Sequence, residues 1–175
     1  MLKRRLRYSF YLLVLALTAC STIEPPVGVQ PVQHFQAERY MGKWYEIARL
    51  DHRFEKGLEQ VSADYNVNSD GSITVINKGL KTETGQWKEK KGKAFFTQDK
   101  NIASLKVSFF WPFYGGYHVI KLDQNYQYAL VTGNNKDFLW LLARKPKLDE
   151  VAKEELIDYA KRQGFSVEKL IWVKQ

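Results

Sequence analysis

The sequence predicts an all-β fold: eight short antiparallel strands, as a barrel or a sandwich, then one amphipathic helix and a short ninth strand. Three observations predict it. Segments rich in β-branched and aromatic residues alternate with turn signals from Gly42 to Arg144. In one of them Val61, Ala63, Tyr65 and Val67 are apolar at period two, with Ser62, Asp64 and Asn66 between them, the mark of a half-buried strand. Helical spacing enters only once, at Asp149–Gln163. A length of 175 residues suits one domain with a tail and is enough to bury a core. With 45% hydrophobic and 26% charged residues, disordered and collagen-like chains are excluded.

Taken in order, Gly42–Leu50 is the first strand and Val61–Val67 the second. Asn68-Ser69-Asp70-Gly71 then reads as a hairpin turn, because Asp-Gly favours positive φ, and Ser72–Leu80 returns. Gly85–Thr97, Ala103–Phe110, Gly116–Leu122, Gln127–Thr132 and Phe138–Arg144 follow, with Gly133-Asn134-Asn135 as a further turn. In the helix, Ala152, Leu156, Tyr159 and Ala160 share one face, Asp149 suits the N-cap and Gly164 the stop. Lys169–Val173 is the ninth strand. A single late helix after an all-β run favours a barrel that packs the helix on its outside.

The first residues do not belong to this fold. Lys3, Arg4, Arg5 and Arg7 precede an apolar run, Tyr8–Ala19, of twelve residues, short of the ~20 that a membrane-spanning helix needs. A basic start, a short apolar stretch and small residues before a cut describe a secretory signal. Leu17-Thr18-Ala19-Cys20 resembles the bacterial lipoprotein signal, which implies cleavage before Cys20 and multiple acylation of it, a stable anchor where one chain would be marginal. Ser21 is not the aspartate that retains many such proteins at the inner membrane, so outer-membrane placement is expected, with the domain in the periplasm. The expected organisation is a signal at 1–19, a lipidated, proline-containing tether at 20–36 and the folded domain at 37–175. Losing the four signal-peptide bases lowers the net charge from +8 to +4, which removes most of the case for nucleic acid.

Gly42-Lys43-Trp44-Tyr45 opens the first strand and Arg144 ends the eighth. This pairing resembles the lipocalins, which carry Gly-x-Trp on their first strand and an arginine after the last. Tyr126–Thr132 fits their middle motif loosely. Trp44–Arg49, Asp51–Phe54, Asn77–Gly79 and Phe113–Tyr117 resemble the bacterial outer-membrane and apolipoprotein D-like subgroup. The likeness spans about Phe35 to Val173; the bulky Trp111 before Pro112, in a rim loop, departs from it. It implies an eight-stranded up-and-down barrel in which Trp44 plugs the closed end, Arg144 stacks across it, and Gly42 allows the tight entry. All three are structural roles.

A barrel of this size has an interior for one small ligand. With Trp44 inward, alternation places Glu46 and Ala48 on its face; Val61, Ala63, Tyr65 and Val67, and Leu105, Val107 and Phe109, also point inward, while Trp140 and Leu142 share the parity of Arg144. Tyr117 and Val119 complete the expected ligand-binding set: Glu46, Ala48, Tyr65, Val107, Phe109, Tyr117, Val119 and Trp140. Such a pocket suits a fatty acid or lysophospholipid. Burying twelve methylenes is worth roughly 10 kcal/mol before association costs, enough for micromolar binding at about −8 kcal/mol. Glu46 either orients a head group inside the barrel, or points into water or pairs with a base. Asp51–Leu58 is the expected lid, hinged at Gly57. The run Phe109–Tyr114 carries too many aromatics for one interior, and some are expected outside as a portal rim, a membrane-touching loop or a homodimer contact.

No enzyme is expected. The single cysteine permits no disulfide or cysteine zinc site, His34, His52 and His118 fall at no metal-ligand spacing, Asp51-His52 reads as a surface pair, and no cofactor motif is present. The rival reading is a structural envelope lipoprotein, its barrel filled by its own side chains, that docks a partner through the aromatic loop. Carriage expects lipid uptake to be blocked by filling the interior at Ala48 or Ala63.

Overall fold

In the computed structural model, residues 23–175 are described; Cys20 and the signal segment lie outside them. A short helix α1 (Ala37–Tyr40), which the sequence did not announce, leads into eight strands: β1 (Gly42–Arg49), β2 (Leu58–Val67), β3 (Ile73–Lys81), β4 (Gln86–Phe96), β5 (Ser104–Phe110), β6 (Phe113–Leu122), β7 (Tyr128–Thr132) and β8 (Leu139–Ala143). Each pairs antiparallel with the next, and β1 pairs with both β2 and β8, so the sheet closes into a barrel with no free edge. Helix α2 (Glu150–Arg162) and strand β9 (Ile171–Trp172) follow.

β1 meets β2 only from Gly42 to Tyr45. Above that point the chain's C-terminal end fills the seam. β9 pairs with Ala48 and Arg49, Gln60 N–H donates to the Lys174 carbonyl at 2.7 Å, and the Gln175 amide donates to the carbonyls of Glu46 (2.6 Å) and Val61 (3.0 Å). Backbone groups left open by the parted strands are thereby satisfied.

Two apolar layers result. One lies inside the barrel around Trp44, Tyr65 and Leu105. The other lies outside, where Leu156 and Ala160 of α2 and Phe165 pack on Ile47, Leu130 and Leu141. Asp149 caps α2 by accepting from Ala152 N–H at 2.9 Å, and Gly164 ends it at φ +79°. The part of the tether within the described residues is packed. Val29 is buried, Val32 exchanges backbone bonds with Val119 and Ala103, and Phe35 N–H donates to Asn101, so this segment climbs the outside of β6. Beneath it His118 is fully buried, its ring within 3.0 Å of the Ser104 hydroxyl, and burial holds its pKa down at about 4.

Strand direction sorts the connections. Residues 50–57, 82–85, 111–112 and 133–138 lie at one end, and 68–72, 97–103 and 123–127 at the other. The second end is sealed. Trp44 is wholly buried, packs against the tilted Tyr40 ring with centroids 4.6 Å apart and donates Nε1–H to the Tyr40 carbonyl at 2.7 Å. The Arg144 guanidinium sits 4.0 Å from the centre of the indole and donates to the carbonyls of Lys43 and Arg39, both at 2.8 Å, and of Tyr126 at 3.3 Å. Gly42 enters at φ +86°, a conformation that residues with a Cβ rarely adopt.

Arg144→Ala removes the cation over Trp44 and three carbonyl contacts together. We expect a loss of about 2–3 kcal/mol in urea denaturation, with only part restored by Arg144→Lys, whose compact ammonium lacks the planar fork that covers the indole and reaches three separate carbonyls. A change below about 0.5 kcal/mol would place Arg144 outside the seal.

Candidate ligand cavity

Between the sealed and the open end lies a cavity of about 120 Å³ for the centre of a water-sized sphere, several times the ~10–15 Å³ that one water needs. Of the eight side chains expected at the ligand site, Glu46, Tyr65, Val107, Phe109, Tyr117 and Trp140 line this cavity, as does Ala63.

Two do not. Ala48 is buried in the outer layer, against the α2 side. The reason is a β-bulge: opposite β8, Glu46 faces Leu142 but Ala48 already faces Leu141, so the extra residue at Ile47 reverses the alternation. Arg49 takes the inward position that unbroken alternation reserves for Ala48. Val119 does lie inside the barrel, but in the packed layer with Trp44 below the cavity. Val67, by the same distinction of depth, sits past the sealed end and is exposed.

The floor is a tyrosine triad. Tyr117 Oη lies 2.7 Å from Tyr40 Oη and 3.0 Å from Tyr65 Oη. Burial is the first cause that pushes all three phenols above their ordinary pKa, so they stay neutral. Their hydroxyls satisfy one another and leave ring faces toward the cavity.

The mouth is polar. Arg49 Nη1 donates to Glu46 Oε1 at 2.7 Å, and both side chains are almost fully buried. Nη2 holds the 50–57 loop through the carbonyls of Glu55 (2.8 Å) and Leu58 (3.3 Å). Glu55 Oε2 accepts from Trp140 Nε1–H at 3.0 Å and lies 3.1 Å from His52 Nε2. His52 is therefore not the surface residue the sequence suggested: it is buried among Phe54, Phe138 and Trp140. The expected lid is pinned down rather than free. Burial, then the Glu55 carboxylate, push the Glu46 carboxyl well above its usual range, and Arg49 pulls it only partly back. Burial also pushes Glu55 up, but His52, Trp140 and Arg49 together hold it below its ordinary value. Tyr40 and Glu55, which line the cavity, and Arg49 and His52, which hold Glu46 and Glu55 at its mouth, are among the residues that sequence reasoning did not place at the site.

Ser104 and His118 form the one serine–histidine contact within hydrogen-bonding distance among the described residues, yet both are fully buried on the far side of the wall from the cavity. Among the described residues no three His, Cys, Asp or Glu side chains converge as a metal site.

An antiparallel eight-stranded barrel, sealed by a tryptophan under an arginine and hollow above it, is the arrangement expected from the sequence. The model of the lipocalin-like domain matches residues 35–175. The chain is a lipocalin. It is 54% identical over 159 residues to the outer membrane lipoprotein Blc of Citrobacter freundii, covering 91% of this chain and 90% of that protein. It is 33% identical over 155 residues to mouse apolipoprotein D, covering 83% and 80%. Insecticyanin from the tobacco hornworm superposes with a TM-score of 0.70 at 18% identity, covering 87% of this chain and 88% of that one, a likeness of fold. With such relatives the protein is placed as a lipid-anchored lipoprotein of the outer membrane. Its family is one of proteins that bind small hydrophobic ligands.

Arg49→Met strands the Glu46 carboxyl in the barrel without its cation. We expect a cost of about 3 kcal/mol in urea denaturation at neutral pH, most of it recovered when Glu46→Gln is added. A double variant no more stable than the single one would contradict the pairing.

Proposed function

We propose that the protein takes one single-chain lipid, a fatty acid or a lysophospholipid, into its barrel and stores or carries it in the cell envelope. A lipidated Cys20 holds the domain at the outer membrane on the periplasmic side. The observation that supports this reading is the hollow itself: apolar along Val61, Val75, Leu105 and Val107, floored by tyrosine rings, and polar only toward Glu46, Glu55, Ser62 and Asn77. An acyl chain is narrower than any ring system, so a small hollow with this apolar lining favours it over broad ring systems. The chain leaves water for the walls while the head group stays among the polar groups of the mouth.

Binding of this kind works by sequestration, with no bond made or broken. The carboxyls at the cavity are already engaged, Glu46 with Arg49 and Glu55 with Trp140 and His52, which suits orientation better than catalysis. The rival reading, a barrel filled by its own side chains, has less support because space remains above the tyrosine floor.

Titration with a fluorescent fatty acid and a lysophospholipid, followed by tryptophan quenching, tests the proposal and ranks the head groups. Saturable one-to-one binding is expected, weakened by Trp140→Ala. Ala63→Leu intrudes on the cavity and should weaken binding at least about tenfold, equivalent to about 1.4 kcal/mol. Ala48 offers no such block, because it faces the helix layer. Binding that ignores Ala63→Leu, or a folded protein that takes up neither lipid, would refute the reading.

A further inference from the structure

Every exposed aromatic side chain among the described residues except Trp172 lies at the open end. Phe54 is on the 50–57 loop and Trp87 flanks the β3–β4 turn. Phe110, Trp111 and Phe113, each at least 70% exposed, make the tip of the β5–β6 hairpin, where the two phenylalanine rings stack at 6.2 Å. The sealed end carries none: its turns are built from Asn68–Gly71, Asp99–Asn101 and Asp123–Asn125. Lysines accompany the aromatics. Lys88, Lys90 and Lys91 are exposed on the β4 arm, Lys56 on the first loop and Lys136 on the last.

The path of the N-terminal segment gives this asymmetry a direction. From Phe35 beside Asn101 at the sealed end, the chain climbs the wall, and the Ile23 carbonyl lies against Gly116, which also neighbours the backbone of Asn134 in the β7–β8 turn. The chain therefore leaves the described structure at the open end. Cys20 stands three residues before Ile23, at most about 11 Å of extended chain. An anchor there cannot let the sealed end reach the membrane while the mouth points away.

We propose that the open end of the barrel lies on the bilayer that holds the anchor, with the Phe110–Phe113 hairpin set into the head-group region as a second point of attachment. Tryptophan and phenylalanine at that depth keep their rings among the upper acyl carbons, and the lysines around the rim meet anionic head groups. The cavity mouth then faces the surface from which a single-chain lipid would come. The proposal rests on the acylated Cys20 and is independent of which lipid the barrel takes.

The test uses the lipidated protein reconstituted in vesicles of phosphatidylethanolamine and phosphatidylglycerol. With Cys20 acylated, Trp111→Cys supplies a lone thiol for an environment-sensitive fluorophore, and Asn125→Cys supplies its counterpart at the sealed end. The label at 111 should shift to the blue and lose most of its emission to spin-labelled lipid, while the label at 125 behaves as in water. Should the labelled hairpin variant misfold, quenching of native tryptophan emission by brominated lipid, compared with Trp111→Phe, reads the same contact; the substitution should remove most of the quenching. A protein that fails to float with the vesicles refutes the anchor and this proposal with it. One that floats with position 111 in water refutes the orientation alone. A label at 111 shielded from water but unquenched by lipid assigns the hairpin to a second copy or another protein, and overturns the bilayer contact.

Discussion

The contact on which the rest of this barrel depends is the Arg144 guanidinium lying on the buried Trp44 indole. A hollow barrel cannot hold its shape by side chains meeting in the middle, so one end must be closed by something large, rigid and fully satisfied. Trp44 supplies the area, and its one polar atom is taken up by the Tyr40 carbonyl. Arg144 covers the remaining face and ties together α1, β1 and the β6–β7 turn through carbonyls of Arg39, Lys43 and Tyr126. With the seal held by residues from both ends of the domain, the strands above it are free to leave space between them.

What fills that space, or fails to, follows from one extra residue. The bulge at Ile47 sends Ala48 to the helix and Arg49 into the barrel. A buried guanidinium needs a carboxylate, and Glu46 provides one; its second nitrogen then fastens the loop that carries Glu55 into the mouth. The same irregular strand leaves its upper edge to β9 and Gln175 instead of β2. A polar mouth and a pinned loop are thus linked consequences of the bulge in β1, while the seam closed by the C-terminus also borders an irregularity of β2 between Glu59 and Ser62.

Period-two alternation made β2 readable, because it buries one face and turns the other toward water. β7 and β8, buried on both faces where α2 covers them, were legible as apolar runs between turn signals, and the late helix announced its inner face through Ala152, Leu156 and Ala160. Where alternation continued unbroken, the inward residues were identified from the sequence: Tyr65, Val107 and Trp140 are examples. It cannot reveal a bulge, since nothing in Glu46-Ile47-Ala48-Arg49 marks Ile47 as the extra residue, and so Ala48 and Arg49 exchange places. Nor does parity give depth. Val119 and Val67 have the expected parity but sit below the cavity and past the barrel's end. His52, between two charged residues, looked like a surface group and is buried only because aromatics distant in sequence, Phe138 and Trp140, close over it. The resemblance to the lipocalins rested first on Gly42, Trp44 and Arg144, three residues that the structure brings together in the seal.

The central claim is that the hollow above the tyrosine floor is a lipid site. Native mass spectrometry of the protein gently extracted from outer membranes tests it most directly. The account predicts a bound species of one single-chain lipid per protein, absent or strongly reduced in Ala63→Leu. A folded wild-type protein that emerges empty, and stays empty when offered fatty acid or lysophospholipid, would contradict it.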